Sequence, residues 1–177
     1  MTAALRLDNK GTAAGDVSAA QCSGVGYNRA VITLTDVAVT VANTKGVSYG
    51  GTQVFTLPAG INRLMTAVLT GVTFNLSSSG NATPIAGTHG GDLAIGTNAP
   101  SDGTLTAGDA NIIPSTSIDP ISAGVAGAHL SADVLLTGAQ AMYLNVLVDA
   151  ADVADGASDV LLVSGTLTIT WIDGGDY

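Results

Sequence analysis

The sequence is dominated by long stretches in which β-branched and other apolar residues alternate with small polar ones. Such a period of two is the mark of a strand with one face buried. In the stretch from Asp159 to Ile172, Leu161, Val163, Leu167, Ile169 and Trp171 fall on one face and Ser164, Thr166, Thr168 and Thr170 on the other. Arg29 to Ala42 reads as a second long strand, with a bulge allowed, its Val31, Thr33, Thr35, Val37, Val39 and Val41 sharing one parity. Val47 to Leu57 is a third, entered by the turn Asn43-Thr44-Lys45-Gly46 and ended by Pro58-Ala59-Gly60. In Ile61 to Leu76, Leu64, Val68, Val72, Phe74 and Leu76 oppose Arg63, Thr73 and Asn75. Met142, Leu144, Val146 and Val148 alternate with Tyr143, Asn145, Leu147 and Asp149.

Between residues 77 and 140 the pattern is weaker. Asp92 to Thr97 reads as a short strand, Asp119 to Ala128 has helical potential curtailed by glycine, and turns are expected around Pro100, Gly103, Gly108, Pro114 and Pro120. No stretch carries the apolar stripe and caps of a three-turn helix, and the chain contains no glutamate, a common filler of exposed helical positions. The expected fold is all-β: an antiparallel two-sheet sandwich, jelly-roll-like, over residues 26–177, with an extended N-terminal arm over residues 1–25. An immunoglobulin-like sandwich is the second topology, although its cysteine and tryptophan pattern is missing. In phase with Leu167 and Ile169, Trp171 is expected to close one end of the core.

Charge is divided along the chain. Arg6, Lys10, Arg29, Lys45 and Arg63 are its only cations, and no lysine or arginine follows Leu64. The first 63 residues are therefore weakly basic, and the other 114 carry eleven aspartates, for a net charge of −9. Such a surface repels phosphate backbones, so direct nucleic-acid binding is not expected. The basic third is suited to an acidic protein surface, and the acidic remainder to water.

Little points to chemistry. Cys22 has no second cysteine to pair with, and His89 and His129 stand forty positions apart without the neighbours that a zinc site or an activated thiol needs. No G-x-S-x-G elbow occurs, and Gly24-Val25-Gly26 is too short for a dinucleotide fingerprint. Asp149, Asp152, Asp155 and Asp159, with Gly156 among them, form the one acidic group dense enough for Ca²⁺. Their spacing matches no calcium loop, and the plain alternative is a solvated hairpin loop. An enzyme is not expected, and neither is a cofactor. Met1 to Lys10 lacks the apolar centre of a secretory signal, and no apolar run approaches the length of a membrane span, so synthesis and folding in a cytoplasm are expected.

Three segments in order, Val54-Phe55-Thr56-Leu57-Pro58-Ala59-Gly60, Gly91-Asp92-Leu93-Ala94-Ile95-Gly96-Thr97 and Ser164-Gly165-Thr166-Leu167-Thr168-Ile169-Thr170-Trp171-Ile172, resemble the β-sandwich head decoration, or cement, proteins of tailed bacteriophages. The resemblance is compositional and spans most of residues 45 to 177. It implies a structural protein on the capsid exterior, a homotrimer bound to the major capsid protein, with no catalytic residue carried over. Under that implication the arm supplies contacts through Leu5, Arg6, Leu7 and Lys10, and Tyr177 rests on a neighbouring subunit. A jelly-roll capsid protein and a tail or head-fibre receptor-binding protein are the alternatives.

Overall fold

The structure, a computed structural model of the chain, describes residues 12–13, 17–23, 27–44, 47–77, 90–121, 125–129, 134–148 and 158–174. Eleven strands appear in it: β1 (Thr12–Ala13), β2 (Val17–Ser23), β3 (Asn28–Thr44), β4 (Val47–Thr56), β5 (Ile61–Ser77), β6 (Gly91–Gly96), β7 (Ile113–Ile118), β8 (Val125–His129), β9 (Val134–Thr137), β10 (Ala141–Val148) and β11 (Ser158–Asp173). They form one antiparallel sheet whose main path runs β7-β6-β10-β4-β3-β11-β5-β8, with β1 on β4, β2 on β3 and β9 also on β5. The path curls into a half-barrel. The all-β expectation is met. The ladder is continuous from β7 to β8, so what the structure establishes is a single curled sheet, where two separate sheets were expected.

The curl arises where β3 meets β4. These strands share only the pairs Ala42–Tyr49, Asn43–Ser48 and Thr44–Val47, and beyond them they part. On one limb, β3 holds β11 on one side and β2 on the other. On the other limb, β4 pairs with β10 from Ser48 to Thr56 and receives β1 at its end. The inner faces of both limbs bury one core, including Ile32, Val39, Leu69, Leu167 and Ile169 from the first and Phe55, Leu93, Ile95, Leu144 and Val146 from the second. Phe55 meets Trp171 edge-on across this core, with ring centroids 6.2 Å apart and an interplanar angle of 61°. Trp171 is buried there as expected.

A crease runs across the three longest strands. At the level of Ser164 and Gly165 in β11, β3 carries one extra residue and so does β5. The bulge in β3 centres on Asp36, whose φ of 49° is left-handed, and that in β5 on Gly71, with φ of 62°. Asp36 tolerates this backbone because its neighbours tie it down. Its N–H donates to Ser164 Oγ at 2.9 Å, and its Oδ1 accepts from Ser164 Oγ at 3.2 Å and from Asn75 Nδ2 at 3.3 Å. Bulges bend strands and increase local twist, so aligned bulges on both sides of β11 curve this limb.

The bulges also reset the alternation. In β3 the buried residues are Asn28, Ala30, Ile32 and Leu34 before Asp36, and Val37, Val39 and Val41 after it. Thr33 and Thr35 are exposed and Val31 half-buried, which corrects the single valine-threonine face expected for this strand. In β5 the register shifts again at Met65, so Leu64, Ala67, Leu69 and Val72 point inward and Val68 lies half-buried on the other face. Only β11 keeps one parity throughout, as its sequence suggested.

Of Asp119 to Ala128, where helical potential was expected, residues 119–121 and 125–128 are described: Ile121 is in 3₁₀ conformation and Val125 to Ala128 belong to β8. A further 3₁₀ turn is Ala107–Asp109. Of the expected arm, residues 12–13 and 17–23 are paired into the sheet, and Val17 belongs to the core. Leu5, Arg6, Leu7, Lys10 and Tyr177 lie outside the described residues.

Residues 97–112 fold over the outer side of the β4-β10-β6 limb. Leu105 packs there with Ala94, Leu147, Tyr49 and Ala110 in a second small core. Asn145, fully buried, fastens the segment by donating through Nδ2 to the carbonyls of Asn98 at 2.8 Å and Asp109 at 2.7 Å. Both faces of β10 are thus covered, which is why its burial runs unbroken from Leu144 to Val148.

Candidate functional site

On the opposite limb Thr33, Thr35, Thr66 and Thr70 of the outer face are exposed, and at one end the face changes character. Along most of its length it carries hydroxyls: Thr33 and Thr70 flank Thr166, and Thr66 and Arg29 flank Thr170. Threonine suits an outward strand position, being β-branched and able to face water. At the end where β3 and β5 begin and β11 finishes, the hydroxyls give way to large side chains. Arg63 pairs with Ile172 on one side and Leu135 on the other. Ile61 and Arg63 share an outward parity, because Asn62 and Leu64 are buried. Tyr27 and Arg29 likewise bracket the buried Asn28, which is the partner of Trp171, so Tyr27 stands beside Ile172. The ladder is extended one step by Gly174, whose N–H donates to the Ile61 carbonyl at 2.7 Å.

This end therefore gathers all three large hydrophobic side chains that are exposed among the described residues: Tyr27 at 58%, Ile61 at 40% and Leu135 at 66%. It also holds both cations of the described residues, Arg29 and Arg63, each exposed. Tyrosine and arginine beside aliphatic side chains on a rigid backbone is the composition that protein interfaces concentrate at their centres. The sequence marked Arg29 and Arg63 only as part of a weakly basic third. Tyr27, Ile61 and Leu135 were not singled out, and the available signal was the shared parity of Ile61 with Arg63.

Asp173 lies at this same end, in register with Asn62 one step from the Arg63–Ile172 pair, while Asp102 and Asp109 are elsewhere. Asp102 is exposed on the segment covering the other limb, its Oδ1 accepting from the N–H of Thr104 at 3.0 Å and from Thr104 Oγ1 at 2.6 Å. Burial, and next the charge of Asp102, hold the carboxyl of Asp109 above the ordinary aspartate range. Among the described residues no three histidine, cysteine or acidic side chains converge in a way that could hold a metal ion. Cys22 pairs in register with Arg29, and His129 with Val68, while His89 lies outside the described residues.

Of the four aspartates considered for Ca²⁺, Asp149, Asp152 and Asp155 lie outside the described residues. Asp159 is not a solvated loop residue. It continues the inward stripe of β11 opposite Val41, is fully buried, and neither carboxylate oxygen accepts a hydrogen bond. Burial alone pushes its carboxyl above the usual value of 3.8. A raised pKa means that the folded state holds the proton more tightly than the unfolded chain does. The associated stability is fully present below the unfolded value and is lost as pH rises through the folded one. Asp159→Leu is accordingly expected to gain about 1–3 kcal/mol at pH 7 by removing an unsatisfied buried carboxylate. Urea midpoints from pH 3 to 7 check this: the advantage of Asp159→Leu over wild type should shrink on acidification, and a gap that stays constant with pH would refute the assignment.

Comparison of the chain with family models, curated proteins and solved structures gave no match. No helix among the described residues is long and apolar enough to cross a membrane.

Proposed function

We propose that the chain is a structural virion protein that binds the outside of a phage capsid and stabilises it by bridging neighbouring capsid subunits. The observation supporting this reading is the concentration of exposed Tyr27, Ile61 and Leu135 with Arg29 and Arg63 at one end of a face built on three strands of 16 or 17 residues. Such a platform is stiff, and its contact chemistry is confined to one place. In a symmetric lattice many modest contacts add through avidity, so no deep cleft is required. In this reading the two limbs act as the facing layers of a jelly-roll-like sandwich, and the acidic remainder faces solvent. The protein is made in the host cytoplasm, acts as a homotrimer on the major capsid protein, and uses no cofactor, membrane or direct nucleic-acid contact.

The test is co-sedimentation of the purified chain with expanded capsids that lack it, alongside unexpanded shells. Binding to the expanded form, with greater resistance of those capsids to heat, is the expected result. Failure to bind, combined with protection of cells from infection by the free protein, would replace this reading with a receptor-binding one.

A further inference from the structure

We propose that residues 98–110 are a lid, which detaches from the outer side of the β4-β10-β6 limb and unfolds locally while the curled sheet beneath stays folded. Its opening turns a covered apolar strip of the sheet out to solvent. The movement is built into the chain and does not depend on capsid binding.

The closed lid carries two unfavourable features that opening removes. Asn145 is fully buried and commits Nδ2 to the carbonyls of Asn98 and Asp109, which leaves its Oδ1 without a partner. That oxygen lies against Gly51, where an added Cβ would press into it and stand 2.7 Å from Pro100 Cδ. A buried acceptor without a donor destabilises the state that buries it, and water satisfies it once the lid lifts. The second feature is Ala107, whose φ of 47° is a left-handed backbone that strains alanine and suits glycine. Ala107 opens the turn that places the Asp109 carbonyl before Asn145, so this strain belongs to the closed state.

What holds the lid down is small, and its neck is fixed. Leu105 is the only buried side chain of residues 98–110, and it meets Ala94, Leu147, Tyr49 and Ala110 and not the main core. Tyr49 adds one bond, its hydroxyl donating to the Ser101 carbonyl at 3.1 Å. At the neck, Thr97 and Asn111 bond each other twice, through the Thr97 N–H to Asn111 Oδ1 and through Asn111 Nδ2 to Thr97 Oγ1, each at 3.0 Å. Ile112 then rejoins the sheet, its N–H donating to the Ile95 carbonyl at 3.0 Å and its side chain entering the main core. A segment with few buried apolar contacts between firm ends opens below the free energy of global unfolding.

The experiment is thiol labelling of the folded full chain in a Cys22→Ser background. Ala94→Cys places a thiol beneath the lid, and Val163→Cys places one in the main core as the control. Leu147→Cys repeats the measurement at a second site under the lid, so that an opening produced by one cysteine is recognised. Circular dichroism and urea midpoints establish that each variant is folded. Without denaturant, both thiols under the lid should react about 100-fold or more faster than the control, at a rate that low urea leaves unchanged, because local opening exposes little surface. In the Ala94→Cys chain, Leu105→Ala should speed labelling about 30-fold, and Ala107→Gly should slow it about 3-fold. Thiols under the lid that react no faster than the control, all rates rising together with urea, would overturn the lid. Fast labelling that Leu105→Ala leaves unchanged would overturn it too, by showing that another segment opens. A rate that Ala107→Gly leaves unchanged or raises would overturn the part assigned to backbone strain.

Discussion

A valine at position 50 is expected to prevent the two limbs from folding onto one core. Gly50 lies in β4 just past the three pairs that join it to β3, at the point where the strands part. A Cβ built there would press into the carbonyl oxygen of Thr40, 2.8 Å from its carbonyl carbon and 3.2 Å from Cα of Val41. These are backbone atoms of β3, so no rotamer change makes room. Overpacking of this kind costs about 3 kcal/mol or more, against a total stability of about 5–15 kcal/mol for a domain of this kind. Gly50→Ala already meets the carbonyl, because the clash is at Cβ, and should be destabilised by a similar mechanism with less further crowding. Soluble yield and the thermal midpoint measure the effect. A Gly50→Val protein that melts at the wild-type temperature would show that β4 does not cross so close to β3.

Trp171→Ala is expected to cost about 3–5 kcal/mol, the range for removing a large aromatic side chain from a packed interior. Trp171 is among the largest fully buried side chains of the described residues and touches Phe55 on the far limb, so its loss opens a cavity where the two halves of the sheet meet. Its indole N–H makes no hydrogen bond. The substitution therefore orphans no polar partner, and the whole effect is packing. For the same reason Trp171→Phe should lose much less. Urea denaturation followed by circular dichroism reads both midpoints. A shift for Trp171→Ala below about 1 kcal/mol would mean that the side chain is not packed between the limbs.

The parts of the fold that were legible in the sequence are those decided by local period. β11 keeps its alternation from Leu161 to Trp171 because no extra residue interrupts it, and the alternation of Met142, Leu144, Val146 and Val148 likewise marked β10 in the sequence. Bulges were not legible. Asp36 and Gly71 shift the register only in relation to β11, and nothing local distinguishes Asp36 from an aspartate on an ordinary strand. Every residue of β3 before Asp36 was therefore assigned to the wrong face relative to those after it. The cover formed by residues 97–112 was invisible for a different reason. It is held by backbone carbonyls reaching Asn145 and by a few small apolar contacts, neither of which leaves a periodic trace.

The contact patch shows the same division. Arg29 and Arg63 stood out because the chain has so few cations, whereas Tyr27, Ile61 and Leu135 became a cluster only when β3, β5 and β9 were laid side by side. Asp159 was grouped by adjacency with the acidic residues before it. Its place in the odd-numbered stripe of Leu161, Val163 and Leu167 already assigned it to the core side, and the structure puts it there. Parity carried more information at this position than residue type.

The most direct measurement of the proposed role is a cryo-electron microscopy difference map between expanded capsids with and without the bound chain. The account predicts added density on the outer surface, spanning the junctions between neighbouring capsid subunits, with the Arg29 and Arg63 end of the curled sheet in contact with protein. Density confined to the tail, or capsids indistinguishable with and without the chain, would contradict it.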